Sequence, residues 1–480
     1  MINQPAHSNQ LILCSCDLPF DKISDLPNIY TTFRKSLEPL RSRPRRTIPI
    51  PTKLPPLPPV IPPQKYPFES PTSLESLKKS LMNPFENDPT CATLSTAPCL
   101  PPNTQSAHPF EGGEKAAQTR LSHLISSGVI SSYKATRNGM LGLDFSTKLS
   151  AYLAQGHITA RQIHWAMVDY EEGKGQGKDM NGYGMGENNG TAAVRFELLW
   201  RDYMRLCVRK FGARMFHIDG ICDYSRSNFN GYDDDTQATH EPNRASQKKW
   251  RYLNDGGDDA AKICEIFTRF RSGHTGMGLI DASNRELFLT GYTSNRARQN
   301  VASFLASHLG IDWRIGAEWY EFLLVDYDVG SNWGNWQYVS GVGNDPRQGR
   351  VFNPVKQALD YDKEGEYIRA WVPELRGVTL TRSIGLNKQE IDQQKLMGLY
   401  QAWRLGDWEK NRLGLKGLEW VEKPLVRIQF SVGKGRGTDL ASQQRGKGKG
   451  IWRGRGRGFR RMGNEDRAGR GESSSREGES

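Results

Sequence analysis

Cysteine is scarce in this chain: seven in 480 residues, at positions 14, 16, 91, 99, 207, 222 and 264. They form no CxxC pair and no His/Cys spacing suited to zinc, and Cys14-Ser-Cys16 is too short for a finger. That excludes a disulfide scaffold and a structural zinc module, and it points to a reduced, intracellular chain. No apolar run reaches the roughly 18 residues that a membrane-spanning helix needs. The N-terminus lacks the basic, apolar and small-residue succession of a signal peptide. Nucleus, cytoplasm and mitochondrion all remain open as compartments. No GxGxxG follows a strand-like run, so a Rossmann dinucleotide site is not supported. Alternating strand runs joined by hairpin turns are scarce as well, which leaves a mostly α-helical fold class.

What is present is unevenly distributed. The net charge is +12, but Gly433–Arg461 alone holds ten Lys/Arg against one Asp, a net +9. In that stretch Gly alternates with Arg and Lys, and Trp452 and Phe459 are interleaved. Gly at such density prevents helix and core, so residues 426–480 read as a disordered RG-rich tail. A single-sign run with aromatics suits DNA or RNA, and a merely solvated tail is the plainer alternative. Residues 41–109 hold the Pro-dense run "IPIPTKLPPLPPVIPP", an extended linker that serves as a stiff spacer or an SH3-type ligand. Residues 1–40 contain "LILCSC" and "FRKSLEPL", a strand-like run and a helical turn with no partner in the neighbouring sequence.

From 110 to 425 the periodicity is helical. "EKAAQTRLSHLISSG" places Leu121, Leu124 and Ile125 on one face, with Gly128 as a stop. "TKLSAYLAQG" follows the cap candidates Asp144 and Ser146. "AAVRFELLWRDYMRLCVRKFG" is a long helix closed by Gly212, and "RARQNVASFLASHLG" one closed by Gly310. "GAEWYEFLLVDYD" reads as a further helix ending near Asp326, and 222–262 as a polar insertion.

Four stretches carry candidate chemistry. Asp326 and Asp328 at a helix C-terminus oppose the macrodipole, so a cation should compensate. Asn295, Arg296 and Arg298 are the candidates; a buried Arg298–Asp326 salt bridge explains part of the cluster, but not why Asp328 and Asn332 stand beside it. Such a density of donors and acceptors suits a flat heterocycle. Trp313, Trp319, Trp333 and Trp336 fall within 24 residues. They are either core or an electron relay, and Trp319 is read as core. In "FELLWRDY", Glu197, Trp200 and Arg201 share one helical sector, as a substrate contact or as a surface salt bridge. Ser146, Thr147, Lys148 and Ser150 at a helix start suit a phosphate, although plain capping would use one of the hydroxyls.

Taken together, "YKATRNGMLGLDFSTKLSAYLAQG", "RFELLWRDYMR", "TGMGLIDASNRELFLTGYTSNRARQNVASFLASHLGIDWRIGAEWYEFLLVDYDVGSNWGNWQYVSGVGNDPR" and "FNPVKQALDYDKEGEYIRAWVPEL" resemble the helical flavin-binding domain of the photolyase/cryptochrome family, in its cryptochrome DASH branch and fungal form. The match runs over roughly 110–380. Residues 1–40 resemble the end of the family's α/β antenna domain, most of which is absent here. The resemblance implies FAD as cofactor. Tyr133, Ser146, Thr147, Lys148, Leu149 and Ser150 match residues around its diphosphate. Asn295, Arg298, Asp326 and Asp328 match groups around the flavin and the ribityl–adenine bend, and Asn332 matches the residue facing flavin N5. Trp336 and Trp313 match the inner and middle members of an electron relay, with Trp250 the candidate outer member. Glu197 and Trp200 match residues that meet a cyclobutane pyrimidine dimer. Arg201, Arg296 and Arg298 would face the DNA or link it to the flavin. Tyr338 stands where dimer photolyases carry Trp, which implies repair in single-stranded rather than duplex DNA. The 5,10-methenyltetrahydrofolate antenna expected in the family lacks most of its domain. "TAAV" at 191–194 replaces bulkier aromatics and loosens one wall of the flavin pocket. The reading is a monomeric, non-membrane deoxyribodipyrimidine photo-lyase. The alternatives are a blue-light photoreceptor without repair, or an RNA/DNA-binding protein acting mainly through its tail.

Overall fold

The computed structural model describes residues 11–13, 17–48, 51–60, 62–63, 71–87, 98–221, 249–253, 260–344, 351–383 and 389–429. The chain divides into two compact units, Met1–Phe430 and Ser431–Ser480. The second unit, with the RG-rich tail, lies outside the described residues, as does most of the polar insertion expected at 222–262. The described part of the first unit is mostly helical. Its sheet is one antiparallel pair, β1 (Thr381–Ser383) and β2 (Gln389–Ile391), with Arg382 opposite Glu390.

Local signals explain the helices of the first half. α3 (Glu114–Ser126) buries Leu121, Leu124 and Ile125, and Gly128, at φ 70°, turns the chain into α4 (Val129–Thr136). α5 (Ser150–Ala154) is brief. α6 (Ala160–Glu171) opens on a Thr159/Gln162 capping box. α7 (Asn189–Phe211) opens on an Asn188/Thr191 capping box and ends at Gly212. Gly190 lies so close to the carbonyls of Ile130 and Ser131 that no Cβ would fit, and this brings α7 against α4.

The second half runs through α8 (Ala260–Arg271), α9 (Gly278–Thr290), α10 (Asn295–Ser303), α11 (Trp313–Leu323), α12 (Val329–Ser340), α13 (Pro354–Tyr361) and α14 (Glu366–Trp371). After the sheet come α15 (Gln393–Tyr400), α16 (Asp407–Arg412) and α17 (Glu419–Glu422). The helix read over "RARQNVASFLASHLG" is α10 continued by a π-turn, Phe304–His308. The helix expected to end near Asp326 stops earlier, at Leu323.

Two apolar cores result. One gathers α3–α7, and the other gathers α8–α15 with the segments that follow. α7 packs on α12 between them.

The N-terminal stretch, which had no partner in the neighbouring sequence, finds one in three dimensions. Ile12, Leu13, Leu26, Phe33, Leu37 and Leu40 are buried in the first core, and α1 (Tyr30–Ser36) lies along α7. The backbone N–H of Ile12 donates to Asp202 Oδ2 at 2.7 Å. At roughly 1.5–3 kcal/mol per buried apolar side chain, the six together stabilise the unit by on the order of 10 kcal/mol. The strand expected in this stretch is absent from its described residues.

The linker differs from its expected form as well. α2 (Leu74–Asn87) forms within it, its entry fixed by reciprocal bonds between Ser73 and Ser76. Its last residues pack rather than extend: Thr104 donates to Ala370 O at 2.7 Å, and Ala107 is buried. After the linker, packing against the helical unit therefore resumes near residue 101 rather than 110.

Candidate functional site

The seam between the two cores holds two adjoining cavities, of about 1250 Å³ and about 500 Å³ of open space. Arg298, Asp326, Asp328, Ser331 and Asn335 line both.

Tyr133, Ser146, Thr147, Lys148, Leu149, Ser150 and Asn295 line the larger cavity. Arg120, from α3, holds the turn that carries the hydroxyls. It donates to the carbonyls of Leu143, Ser146 and Thr147 and pairs with Asp144 at 2.8 Å. This corrects the cap assignment. Asp144 is spent on Arg120 and His123, and α5 starts from Leu149 with no side-chain cap. The hydroxyls of Ser146, Thr147 and Ser150 are thus not used for capping and stand at the cavity wall. Lys148 has φ 57°, rare for a residue with a Cβ, and such strain gathers at ligand sites. Its buried ammonium donates to the Tyr292 hydroxyl at 3.2 Å. Burial, followed by the charge of Glu197, pushes the Tyr133 phenol far above its ordinary range.

The two aspartates do different work. Arg298 donates to Asp326 Oδ2 at 2.9 Å and to Thr293 O at 2.9 Å. Asp326 is buried, and its Oδ1 has no hydrogen-bond partner. Asp328 does not oppose a helix dipole, as its place after a helix suggests. It instead caps the N-terminus of α12, accepting from Ser331 N at 2.9 Å, where a carboxylate is favoured. Its second partner is Arg205, at 2.6 Å. Burial works against ionisation here, but Arg205 and the Ser331 N–H hold the carboxyl below its usual range.

Asn332 and Trp336, on α12, line the smaller cavity. Asn332 donates to Ala317 O at 2.9 Å. The Trp336 indole lies against Gly316 of α11, where a Cβ would collide with it, and meets Tyr320 edge-on at 5.2 Å. Trp313, one turn before Gly316, is fully buried and donates to Ile218 O at 2.9 Å. Trp313 meets Trp333 edge-on at 5.7 Å. Trp250 is buried in the same core, beside the Arg251–Ile311 bridge.

On the other wall, Glu197, Trp200 and Arg201 line the larger cavity. The partner of Glu197 is not the neighbouring Arg201 but Arg137, on α4. Arg201 turns to Leu153 O at 3.1 Å. Trp200 donates to Asn335 Oδ1 at 3.3 Å and is flanked edge-on by Tyr30 at 4.7 Å and Tyr338 at 5.4 Å. Arg296 lies apart from these. It lines a separate cavity of about 760 Å³ with Ala192 and Ala193 of the "TAAV" segment, and donates to Asn138 Oδ1 at 2.6 Å.

Sequence reasoning missed Arg120, Arg137, Arg205, Tyr292 and Asn335. Arg137 stands four residues after Tyr133 and Asn335 three after Asn332, spacings that share a helix face and could have signalled both. Arg205 and Tyr292 reach their partners only through the tertiary fold.

The fold and the cavity define an FAD-binding domain of the photolyase type, and the family model described as the FAD binding domain of DNA photolyase matches residues 194–405. The residues present fit such a cofactor: a large two-part cavity, hydroxyls free of capping duty, and a buried Asp326 oxygen awaiting a donor. A protein of Neurospora crassa named as a mitochondrial cryptochrome DASH is 49% identical over 430 residues, 87% of this chain and 53% of that one. A cryptochrome DASH of Synechocystis sp. is 35% identical over 418 residues, 87% of this chain and 68% of that one. The crystal structure of a Synechocystis sp. cryptochrome superposes with TM-score 0.62 at 33% identity, over 86% of this chain and 71% of that one. The chain belongs to the cryptochrome DASH branch of the photolyase/cryptochrome family. It spans about half the length of the fungal relatives it matches, 53% and 55%.

Proposed function

We propose that this protein uses blue light to reverse cyclobutane pyrimidine dimers in single-stranded DNA. The observation that carries this reading is the lining of the larger cavity, which has Asp326 and Arg298 on one side and Glu197, Trp200 and Arg201 on the other, while Asn332 lines the adjoining one. A cofactor held on the first side meets a base entering from the second.

Reduced FAD, when bound, supplies the light absorption and the one-electron chemistry. The chain does the rest. Arg298 fixes Asp326, whose second oxygen would be placed to accept a hydrogen bond from the cofactor. Ser146, Thr147 and Ser150 offer hydroxyls to the diphosphate. Trp200, braced by Asn335, Tyr30 and Tyr338, presents an aromatic surface to an extruded base. Extrusion is cheapest from an unpaired or damaged strand, and Tyr338 in place of Trp fits capture from single strands. The RG-rich tail adds phosphate contacts to DNA or RNA. The mitochondrion is the proposed compartment, after the name of the Neurospora crassa relative.

The test is the light-dependent loss of dimers from a single-stranded oligonucleotide, using FAD-loaded, reduced protein. Repair in blue light and none in the dark is the expected result; no repair in either overturns the reading. A photoreceptor without repair is the second reading. It is favoured by Glu197 already being engaged by Arg137 instead of facing a substrate unpaired.

A further inference from the structure

The cavity that Arg296 lines stands beside the seam of the two cores rather than in it. It holds about 760 Å³ of open space between the end of α4, the first two turns of α7 and the start of α10. Ala192 and Ala193 line it with methyl groups, and Phe196, one turn on, with an aromatic ring. Arg34 steadies that ring, its guanidinium 4.9 Å from the centroid. Asn138 supplies an amide. Arg296 donates to its carbonyl oxygen at 2.6 Å, which leaves the Asn138 N–H groups as the donors on offer. Arg296 is itself fixed, by Gln299 Oε1 at 2.9 Å and by the Tyr361 ring, 4.4 Å from its guanidinium. The exposed Lys134 and Arg137 add positive charge, and no carboxylate is among the lining residues. A nucleotide uses each of these features: a ring for the face of the base, N–H donors for its edge and cations for its phosphate.

The position of this cavity says which nucleotide. Arg137 lines both it and the larger cavity. α7 runs past the two, with Ala193 and Phe196 on this one and Glu197 and Trp200 on the larger. Ala193 and Trp200 are seven residues apart, roughly 10 Å along the helix axis. That places the cavity within reach of the nucleotide next to one held at Trp200. We propose that it binds the unpaired nucleobase flanking the dimer, so that the protein holds a single strand by two neighbouring base pockets. The inference rests on the repair reading above and adds a second contact to the same substrate. In a duplex the flanking base is paired and stacked, and it enters only after a further unpairing. In a single strand it enters without that cost. The pocket tolerates any sequence, because every base has a π-face for Phe196. The plainer alternative is a solvent-filled groove where α4 and α7 cross, which would be indifferent to the base.

Binding of dye-labelled single strands to the FAD-loaded full chain, read by fluorescence anisotropy, separates these cases. Each strand carries one thymine dimer. One strand is otherwise natural, one has an abasic sugar on the 5′ side of the dimer, and one has it on the 3′ side. All keep every phosphate, so Lys134 and the RG-rich tail contribute equally to each. The expected result is that at least one abasic strand binds about fivefold or more weakly than the natural strand. Ala192→Trp fills the cavity, and the natural strand then binds no better than the sensitive abasic one. Phe196→Leu keeps an apolar side chain but removes the ring, and it shrinks the difference in the same direction should Ala192→Trp fail to fold. If both abasic strands bind the wild type as tightly as the natural strand, or if the preference survives in the variants, the flanking pocket is wrong and the reading of the larger cavity is untouched. If the natural dimer strand binds no tighter than the same strand undamaged, the reading of the larger cavity fails and the flanking pocket with it.

Discussion

Asp326 and Asp202 are both buried carboxyls, and the structure treats them in opposite ways. Asp326 is held by Arg298, whose side chain is 26% exposed. Arg298→Ala strands a buried carboxylate. Full burial would make that cost about 3–5 kcal/mol, and the partly exposed guanidinium lowers it to roughly 2–3 kcal/mol. Thermal denaturation measures the loss, and weaker FAD retention accompanies it. Asp202 has no comparable counter-charge: Arg201 approaches only to 4.0 Å. Burial pushes its carboxyl up to about 7, against the opposing effects of Arg201 and of the Ile12 and Leu13 N–H groups. The folded state therefore keeps a proton that the unfolded chain releases near pH 4, so this group's stabilising contribution is full below pH 4 and lost as pH rises through about 7. Asp202→Asn keeps an acceptor for the Ile12 N–H and removes the titration. Melting curves at pH 5 and pH 8 should show the variant gaining on the wild type at the higher pH. Residue types were legible in the sequence, but their partners were less so. Glu197 has Arg201 four positions along its own helix and is paired instead by Arg137 from α4, a contact set only when α4 and α7 cross.

α12 shows where propensity fails. "VGSNWGNWQYVS" carries two Gly, a β-branched start and two Trp, a poor helix on local grounds. It forms because Asp328 caps it and because its glycines allow close approach: Gly330 to the backbone of Met204 and Arg205, and Gly334 to the Met204 sulfur. Tertiary packing supplies the stability that propensity does not. By contrast α3 and α7 were readable, since their apolar spacing and the glycines that follow them agree. Gly316 on α11 plays the same close-packing part for Trp336. Gly316→Ala forces the indole aside, at a typical overpacking cost of about 1–3 kcal/mol. The expected outcome is a lower Tm together with a changed tryptophan emission. Unchanged emission would mean that the α11–α12 contact has more slack than the geometry allows.

For the molecule as a whole, the N-terminal stretch is part of the helical unit rather than a dispensable remnant. Deleting residues 1–45 exposes the face of the first core that Ile12, Leu13, Phe33 and Leu37 cover, and removes Tyr30 from Trp200. The shortened protein should aggregate or melt well below the full chain in a thermal scan. The tail makes a separable contribution. The net +7 of residues 433–480 should steepen the salt dependence of single-strand binding by up to about 5 in log–log slope. Binding isotherms of the chain with and without 433–480 at several salt concentrations measure that difference. The most direct test concerns the cavity at the seam of the two cores. Purified full chain is mixed with FAD, freed of excess and examined by absorbance in the dark, then under blue light with a thiol present. Retained oxidised-flavin bands that bleach on illumination and return in air are the predicted result. A colourless protein, or bound flavin indifferent to light, would contradict the assignment of this cavity as a photoactive flavin site.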